Sequence, residues 1–202
     1  MPSRRGKPPK DGLETRQRLV DAGRRLFSVD GFHGTDTNRI AREAQVAPAT
    51  LYVHFVDKTD VFRAVYSAWV SEMWERLSLD AIAGGPPEVI ARRMARSLVE
   101  HYRKARGIRA TVQSAALRAP AFRELYLSEG RRQLELAMNR RSARGSLPRA
   151  REDVLATLLI VERLCDALAN DEVEALGCSA EALERVLVAV LEASLRDAPL
   201  PH

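Results

Sequence analysis

Residues 35–58, TDTNRIAREAQVAPATLYVHFVDK, constrain the fold more than any other stretch of the chain. They read as two short helices, a tight turn and the capped start of a third. Ile40, Ala41 and Ala44 share one helical face, Val46 falls in the turn, and Leu51 and Phe55, spaced i and i+4, give the following helix its buried side. This arrangement is a helix-turn-helix. The second helix turns Ala49, Thr50, Val53 and His54 outward, a small surface without acidic groups that suits a major groove about 12 Å wide. Asp57 is placed to cap the next helix. Lys58 then sits at a helix N-terminus, where free N–H groups and the dipole favour a phosphate.

The run IAREAQVAPATLYVHFVDK resembles the DNA-binding signature of TetR-type transcriptional regulators, with an I-A-x-x-A helix, a T-L-Y-x-H-F recognition helix and an acidic-Lys pair. Upstream, TRQRLVDAGRRLFSVDGF is similar to the family's first helix, so the likeness covers about a quarter of the chain. The resemblance implies phosphate or base contacts from Thr37 and Asn38, at the start of the first short helix, and from Pro48, Ala49, Thr50, Tyr52, Val53, His54 and Lys58. Two positions depart from the pattern: Gln45 stands where a turn Gly is common, and Ala47 where a Ser or Thr cap is common. A positive φ at Gln45 and an uncapped helix after Ala47 each cost on the order of 1 kcal/mol. Neither removes a DNA contact.

Around this motif, Asp11 and Glu14 have capping-box spacing, which predicts a first helix from near Gly12 to about Val29. Leu19, Ala22, Leu26 and Phe27 form its apolar stripe, and Gly31 its stop. The formal net charge of +5 is concentrated in the tail, where Arg4, Arg5, Lys7 and Lys10 lie among Pro2, Gly6, Pro8 and Pro9, whereas charges from Asp11 to Lys58 balance. A disordered basic arm over residues 1–10 follows, with Arg4 and Arg5 positioned to track phosphates or enter a minor groove. The expected domains are this arm, a DNA-binding domain over 11–57, and an effector-binding and dimerisation domain over 58–202.

With 46% hydrophobic and 29% charged residues the chain can bury a sizeable core. It has no apolar run approaching the roughly 20 residues of a membrane span and no secretory leader pattern, so a cytoplasmic protein is expected. Cys165 and Cys178 are the only cysteines and lack metal-type spacing. No phosphate-cradling Gly-rich loop, nucleophile elbow or H-E-x-x-H occurs, which argues against an enzyme, a metal site or a cofactor.

From Lys58 a long helix is expected to reach about Leu79, with Phe62, Tyr66, Trp69 and Met73 among apolar residues on more than one face. Gly84-Gly85-Pro86-Pro87 ends it. Helices then follow at about 87–106, 107–118, 120–141, 149–170 and 179–196, with no strand-like alternation, so the fold class is all-α. Their apolar residues either fill a closed core or wall an apolar effector pocket. Met94, Leu98, Phe122 and Tyr126 join the long helix as candidate walls, and His101, Tyr102 and Gln113 as polar handles. Arg131-Arg132 and Arg140-Arg141 read as solvated faces.

In the last two helices Leu155, Leu159, Leu183, Leu187 and Leu191 belong to apolar sets too wide for one core face. A second copy can cover the surplus in an intermolecular four-helix bundle, the place where the resemblance locates dimerisation. Glu162 and Asp166, an i, i+4 pair, are assigned to that interface, paired with neighbours such as Arg163, or to a cation. The function implied is that of a homodimeric repressor that binds a palindromic operator and is released by a small apolar or amphipathic effector. The alternative is a helix-turn-helix interaction module or a constitutive DNA binder without a ligand.

Overall fold

The computed structural model describes residues 10–143 and 150–196, and among these every regular element is helical. Arg4 and Arg5, with the rest of the basic arm, and the loop Arg144 to Pro148 lie outside the described residues. Two compact units divide between Trp69 and Val70, inside the long helix rather than at Lys58.

The N-terminal unit contains α1 (Lys10–Asp30), α2 (Thr37–Glu43), α3 (Pro48–His54) and the first part of α4 (Lys58–Ile82). Helical backbone already begins at Lys10, so Asp11 is not the cap of α1. The helix stops where Gly31, at φ 65°, donates to the Phe27 carbonyl at 3.2 Å, a left-handed step that glycine makes without a Cβ penalty. Leu19, Val20, Ala22 and Phe27 are buried along α1. Gly23 lets α4 close in: a Cβ there would stand 3.0 Å from Val61 Cγ1. Phe27 packs edge-on to Phe62 at 5.2 Å, and Phe62, Tyr66 and Trp69 continue as stacked rings along α4. The early part of α4 is thus core of this unit.

Asp36 caps α2, its Oδ1 accepting from the Arg39 N–H at 2.8 Å. The turn after α2 is a Schellman motif: Gln45 has φ 57°, its N–H bonds to Arg42 O at 3.0 Å, and the Val46 N–H bonds to Ala41 O at 3.0 Å. The left-handed position that commonly holds glycine therefore carries a glutamine. Ala47 supplies no capping bond to α3, and Pro48 at its first turn offsets part of that loss through a φ already fixed for helix. Leu51 and Phe55 are buried, as the motif requires.

The C-terminal unit contains the rest of α4, then α5 (Pro87–Arg103), α6 (Arg106–Ala116), α7 (Pro120–Ala143), α8 (Arg151–Ala169), α9 (Glu172–Ala175) and α10 (Ala180–Leu195). Pro87 and Pro120 open α5 and α7, where a missing N–H costs nothing. Ser179 caps α10 by accepting from the Ala182 N–H at 3.2 Å. The single turn α9 was not signalled by periodicity; it follows Asp171 at φ 56° and buries Val173. α5 packs against α8 and α10, which also pack on each other, and α6 lies on α7. No helix of the described residues is long and apolar enough to cross a membrane.

Candidate nucleic-acid interface and buried cavity

The outward face of α3 is unusually bare for a helix with so much carbon on it. Val53 is 79% exposed and Tyr52 is exposed beside it, together with Pro48 and Ala49, while Thr50 and His54 are partly covered. None of these is acidic. The Tyr52 and Thr37 hydroxyls meet at 3.0 Å, so the first turn of α2, with Thr37 and exposed Asn38, is fixed beside α3. Val53 can meet a thymine methyl, Thr50 and Asn38 can reach base edges or phosphate, and the α2 N-terminus offers free N–H groups.

Lys58 is turned the other way. Its Nζ donates to the carbonyls of Phe32 and Thr35, each at 2.7 Å, and stands 4.2 Å over the Phe32 ring. Burial pulls its pKa below the ordinary lysine value, with the Asp36 carboxylate acting in the opposite direction. The side chain therefore ties α4 to the segment between α1 and α2, and the ammonium expected on a phosphate is engaged inside the unit instead. Asp57 does cap this helix, accepting from the Asp60 N–H at 2.8 Å, while the Asp60 carboxylate accepts from the Val56 N–H at 3.2 Å. The end keeps its dipole and its remaining free amides.

The C-terminal unit contains a partly open cavity of about 150 Å³. Four of the expected pocket residues, Met73, Met94, Leu98 and Tyr102, line it. Phe62, Tyr66 and Trp69 do not: they belong to the N-terminal unit, where their rings form its aromatic stack. His101 and Phe122 are buried away from it, and Gln113 and Tyr126 stand behind its wall. The remaining wall includes Trp74 and Leu77 of α4, and Leu158 and Val161 of α8. Arg140 and Arg141, expected as a solvated pair, also face it. Arg140 lies 4.8 Å over the Trp74 ring and donates to Trp74 O at 3.1 Å, while Arg141 donates to Ser194 O at 3.2 Å.

Behind Tyr102 lies a buried ionic group. Arg109, 2% exposed, donates to Glu162 at 2.5 Å and to both oxygens of Asp166 at 3.1 and 2.6 Å. Gln113 also donates to Asp166, at 2.7 Å, and Tyr126 bonds to Glu162. Burial raises the Tyr102 hydroxyl well above the usual phenol value and pushes the Cys165 thiol up to about 12, the neighbouring Asp166 acting in the same direction. Both remain protonated near neutrality. The assignment of Glu162 and Asp166 to a dimer surface is therefore corrected: both serve Arg109 inside one chain, and Arg163 pairs with Glu172 instead. Leu187 and Leu191 are likewise interior to the unit. Leu155 and Leu159 remain half-exposed on α8, joined there by Ile160 and on α10 by Val186, with Leu183 partly covered.

Residues 19–65 match the family model for bacterial regulatory proteins of the tetR family. Residues 19–65 are thus a DNA-binding domain of the tetR type. The HTH-type transcriptional regulator AcrR of Shigella flexneri is 39% identical over 69 residues, which are 34% of this chain and 28% of that relative's length. A TetR-family transcriptional regulator from Streptomyces coelicolor shares the fold at a TM-score of 0.60 and 24% identity, over 93% of this chain and 97% of its own. A transcriptional regulator from Rhodococcus sp. Rha1 does so at 0.65 and 20%, over 93% and 99%. The family match lies in the helix-turn-helix unit, and over the C-terminal unit the likeness to these solved structures is one of fold.

Arg109 is the residue that sequence reasoning missed. Its signal was an arginine on the apolar face of α6, one helical turn from Ala105 and Val112, all buried. A cation in that position needs carboxylates from elsewhere in the core, and the Glu162/Asp166 pair was waiting for one.

Proposed function

We propose that this protein is a sequence-specific DNA-binding repressor of the TetR type, acting in the cytoplasm as a homodimer and released from a palindromic operator by a small effector. The observation that carries the reading is the face of α3, where Tyr52 and Val53 stand exposed with no acidic side chain among them. Leaving that much apolar and polar-neutral surface in water on a short helix is favourable only if a partner covers it, and a major groove repels carboxylates. DNA contacts are assigned to Thr37, Asn38, Pro48, Ala49, Thr50, Tyr52, Val53 and His54, with the N-terminus of α4 on a phosphate and Arg4 and Arg5 of the arm as further phosphate or minor-groove contacts.

Dimerisation is supported by the half-exposed Leu155, Leu159 and Ile160 on α8 and Val186 on α10, two helices that pack together and leave an apolar strip. A two-fold partner would complete a four-helix bundle, and a palindromic operator requires two recognition helices about 34 Å apart, one turn of DNA. Effector release is supported by α4, which supplies Val61 and Phe62 to the DNA-binding core and Met73, Trp74 and Leu77 to the cavity wall. A ligand that reshapes the wall acts on a helix shared with the DNA-binding unit.

Fluorescence anisotropy on operator and random duplexes across a salt series tests the reading. A regulator retains a large ratio of specific to random affinity as salt rises, and Tyr52→Phe, which removes the bond to Thr37, weakens operator binding while the protein stays folded. Equal affinity for both duplexes at every salt concentration would refute it.

A further inference from the structure

The cavity is asymmetric in charge. At one end Glu162 reaches it beside Tyr102, with 21% of its side chain exposed against 8% for Asp166. Behind them one guanidinium, Arg109, serves two carboxylates, and Arg163, the other cation near Asp166 among the described residues, is itself paired with Glu172, so carboxylates outnumber guanidinium groups around Arg109. The other partners, Gln113 and Tyr126, are neutral, and Tyr102 and Cys165 beside the group hold their protons. At the far end stand Arg140 and Arg141, together with the Trp74 indole, which is 8% exposed and whose N–H finds no acceptor among the described residues. Val154 and Glu162, both on the wall, stand eight residues apart on α8, about 12 Å of helix. Met73, Leu98, Leu158 and Val161 line the space between them.

A buried negative charge in excess of its counter-ion is costly, and the cost falls when a cation enters the same low-dielectric space. Resting on the effector reading above, we propose that this cavity takes an amphipathic organic monocation. Its ammonium group sits against Glu162, its apolar body runs along Met73, Leu158 and Val161, and its other end, which is not cationic, meets Trp74 and Arg140. A second cation on the ligand would face the two arginines and be rejected by like charge.

Four probes of equal chain length separate the possibilities: decyltrimethylammonium, decanol, decanoate and the dication decamethonium. With Trp69→Phe, Trp74 becomes the sole tryptophan and reports binding by its fluorescence; calorimetry on the unaltered chain repeats the ranking should that variant misfold. Decyltrimethylammonium is expected to bind at least tenfold more tightly than each of the other three. Glu162→Gln leaves Arg109 paired with Asp166 and is expected to stay folded. It should abolish the preference for decyltrimethylammonium over decanol, a loss of about 1.4 kcal/mol for the tenfold, while decanol affinity and the circular dichroism spectrum hold. Decanoate or decanol binding as well as the monocation, no binding by any probe, or a preference unchanged in Glu162→Gln would each overturn the proposal. Equal binding of decamethonium would overturn the placement of the far end. The titrations need no DNA, so the two readings fail separately. Decyltrimethylammonium that binds without releasing operator DNA sinks the effector reading and leaves the monocation site standing. Release by decanoate alone does the reverse.

Discussion

Replacing Lys58 by alanine should lower stability and leave the salt dependence of DNA binding untouched. The ammonium makes two short bonds to main-chain carbonyls, at 2.7 Å each, and caps the Phe32 ring. A hydrogen bond with a charged partner contributes about 1.5–3 kcal/mol when it is desolvated. Lys58 is only half-buried, and water can reach the carbonyls once the side chain is gone, so the two bonds together are worth about 2 kcal/mol by the same measure. For a chain of 202 residues that corresponds to a fall in Tm of roughly 4–8 °C. Lys58→Met keeps the apolar stem over Phe32 and should recover the smaller, packing part of the loss. On DNA the expectation is opposite in kind. Each phosphate neutralised by a side chain adds about 0.9 to the slope of log K against log salt, so two Lys58 ammonium groups in a homodimer would contribute about 1.8. With both turned inward the slope of Lys58→Ala should match that of the parent protein. Calorimetric melting and anisotropy titrations at four or five salt concentrations measure the two quantities independently. A slope shallower by about 1.8 with an unchanged Tm would refute the inward-facing assignment and restore Lys58 as a phosphate ligand.

Other consequences follow from particular side chains. Gln45→Gly should raise stability by about 1 kcal/mol, read from chemical denaturation, because φ 57° strains glutamine and not glycine; a loss of stability would place the strain elsewhere. Leu159→Asp with Val186→Asp, each 49% exposed, should give folded monomers in sedimentation, whereas Leu187→Asp, 0% exposed, should unfold the C-terminal unit; a folded dimer from the first pair moves the interface off α8 and α10. Arg109→Met leaves two buried carboxylates without their cation and should cost about 3–5 kcal/mol, with a loss under 1 kcal/mol contradicting the buried group. A thiol reagent at mild alkaline pH should add once to the native chain, at exposed Cys178, and twice in denaturant, because burial raises the Cys165 thiol to about 12; two adducts at equal rates would contradict this.

What the sequence disclosed and what it withheld differ by range. Positions 35–58 are local: a cap at Asp36 or Thr37, a turn at Gln45, a proline at Pro48 and an i, i+4 apolar pair fix a helix-turn-helix without distant partners, and in the structure Asp36 is the cap and the turn and the proline stand where expected. The helices of the C-terminal unit were legible for the same reason, since apolar periodicity and proline breaks act within a few residues. Lys58 is the instructive failure. A lysine at a helix N-terminus after a capping aspartate is placed for an anion, but the carbonyls that accept its hydrogen bonds belong to Phe32 and Thr35, more than twenty residues earlier. No local rule sees them.

The cavity lies further along the same gradient. Aromatic residues crowd several faces of α4, and periodicity assigns them all to one interior, yet the chain divides that helix at Trp69. Phe62, Tyr66 and Trp69 close the first core, whereas Met73, Trp74 and Leu77, one to two turns on, line the second. The division follows from the partners. Phe27 and Phe32 supply rings to meet Phe62, while α7 brings Arg140 over Trp74. Likewise Glu162 and Asp166 looked like surface charges until α6 presented Arg109 to them from 53 and 57 positions away. A charge on an apolar helical face is the one trace such a group leaves in a sequence. Arg109 and the Glu162/Asp166 pair each carry it, and a core that buries one must supply the other.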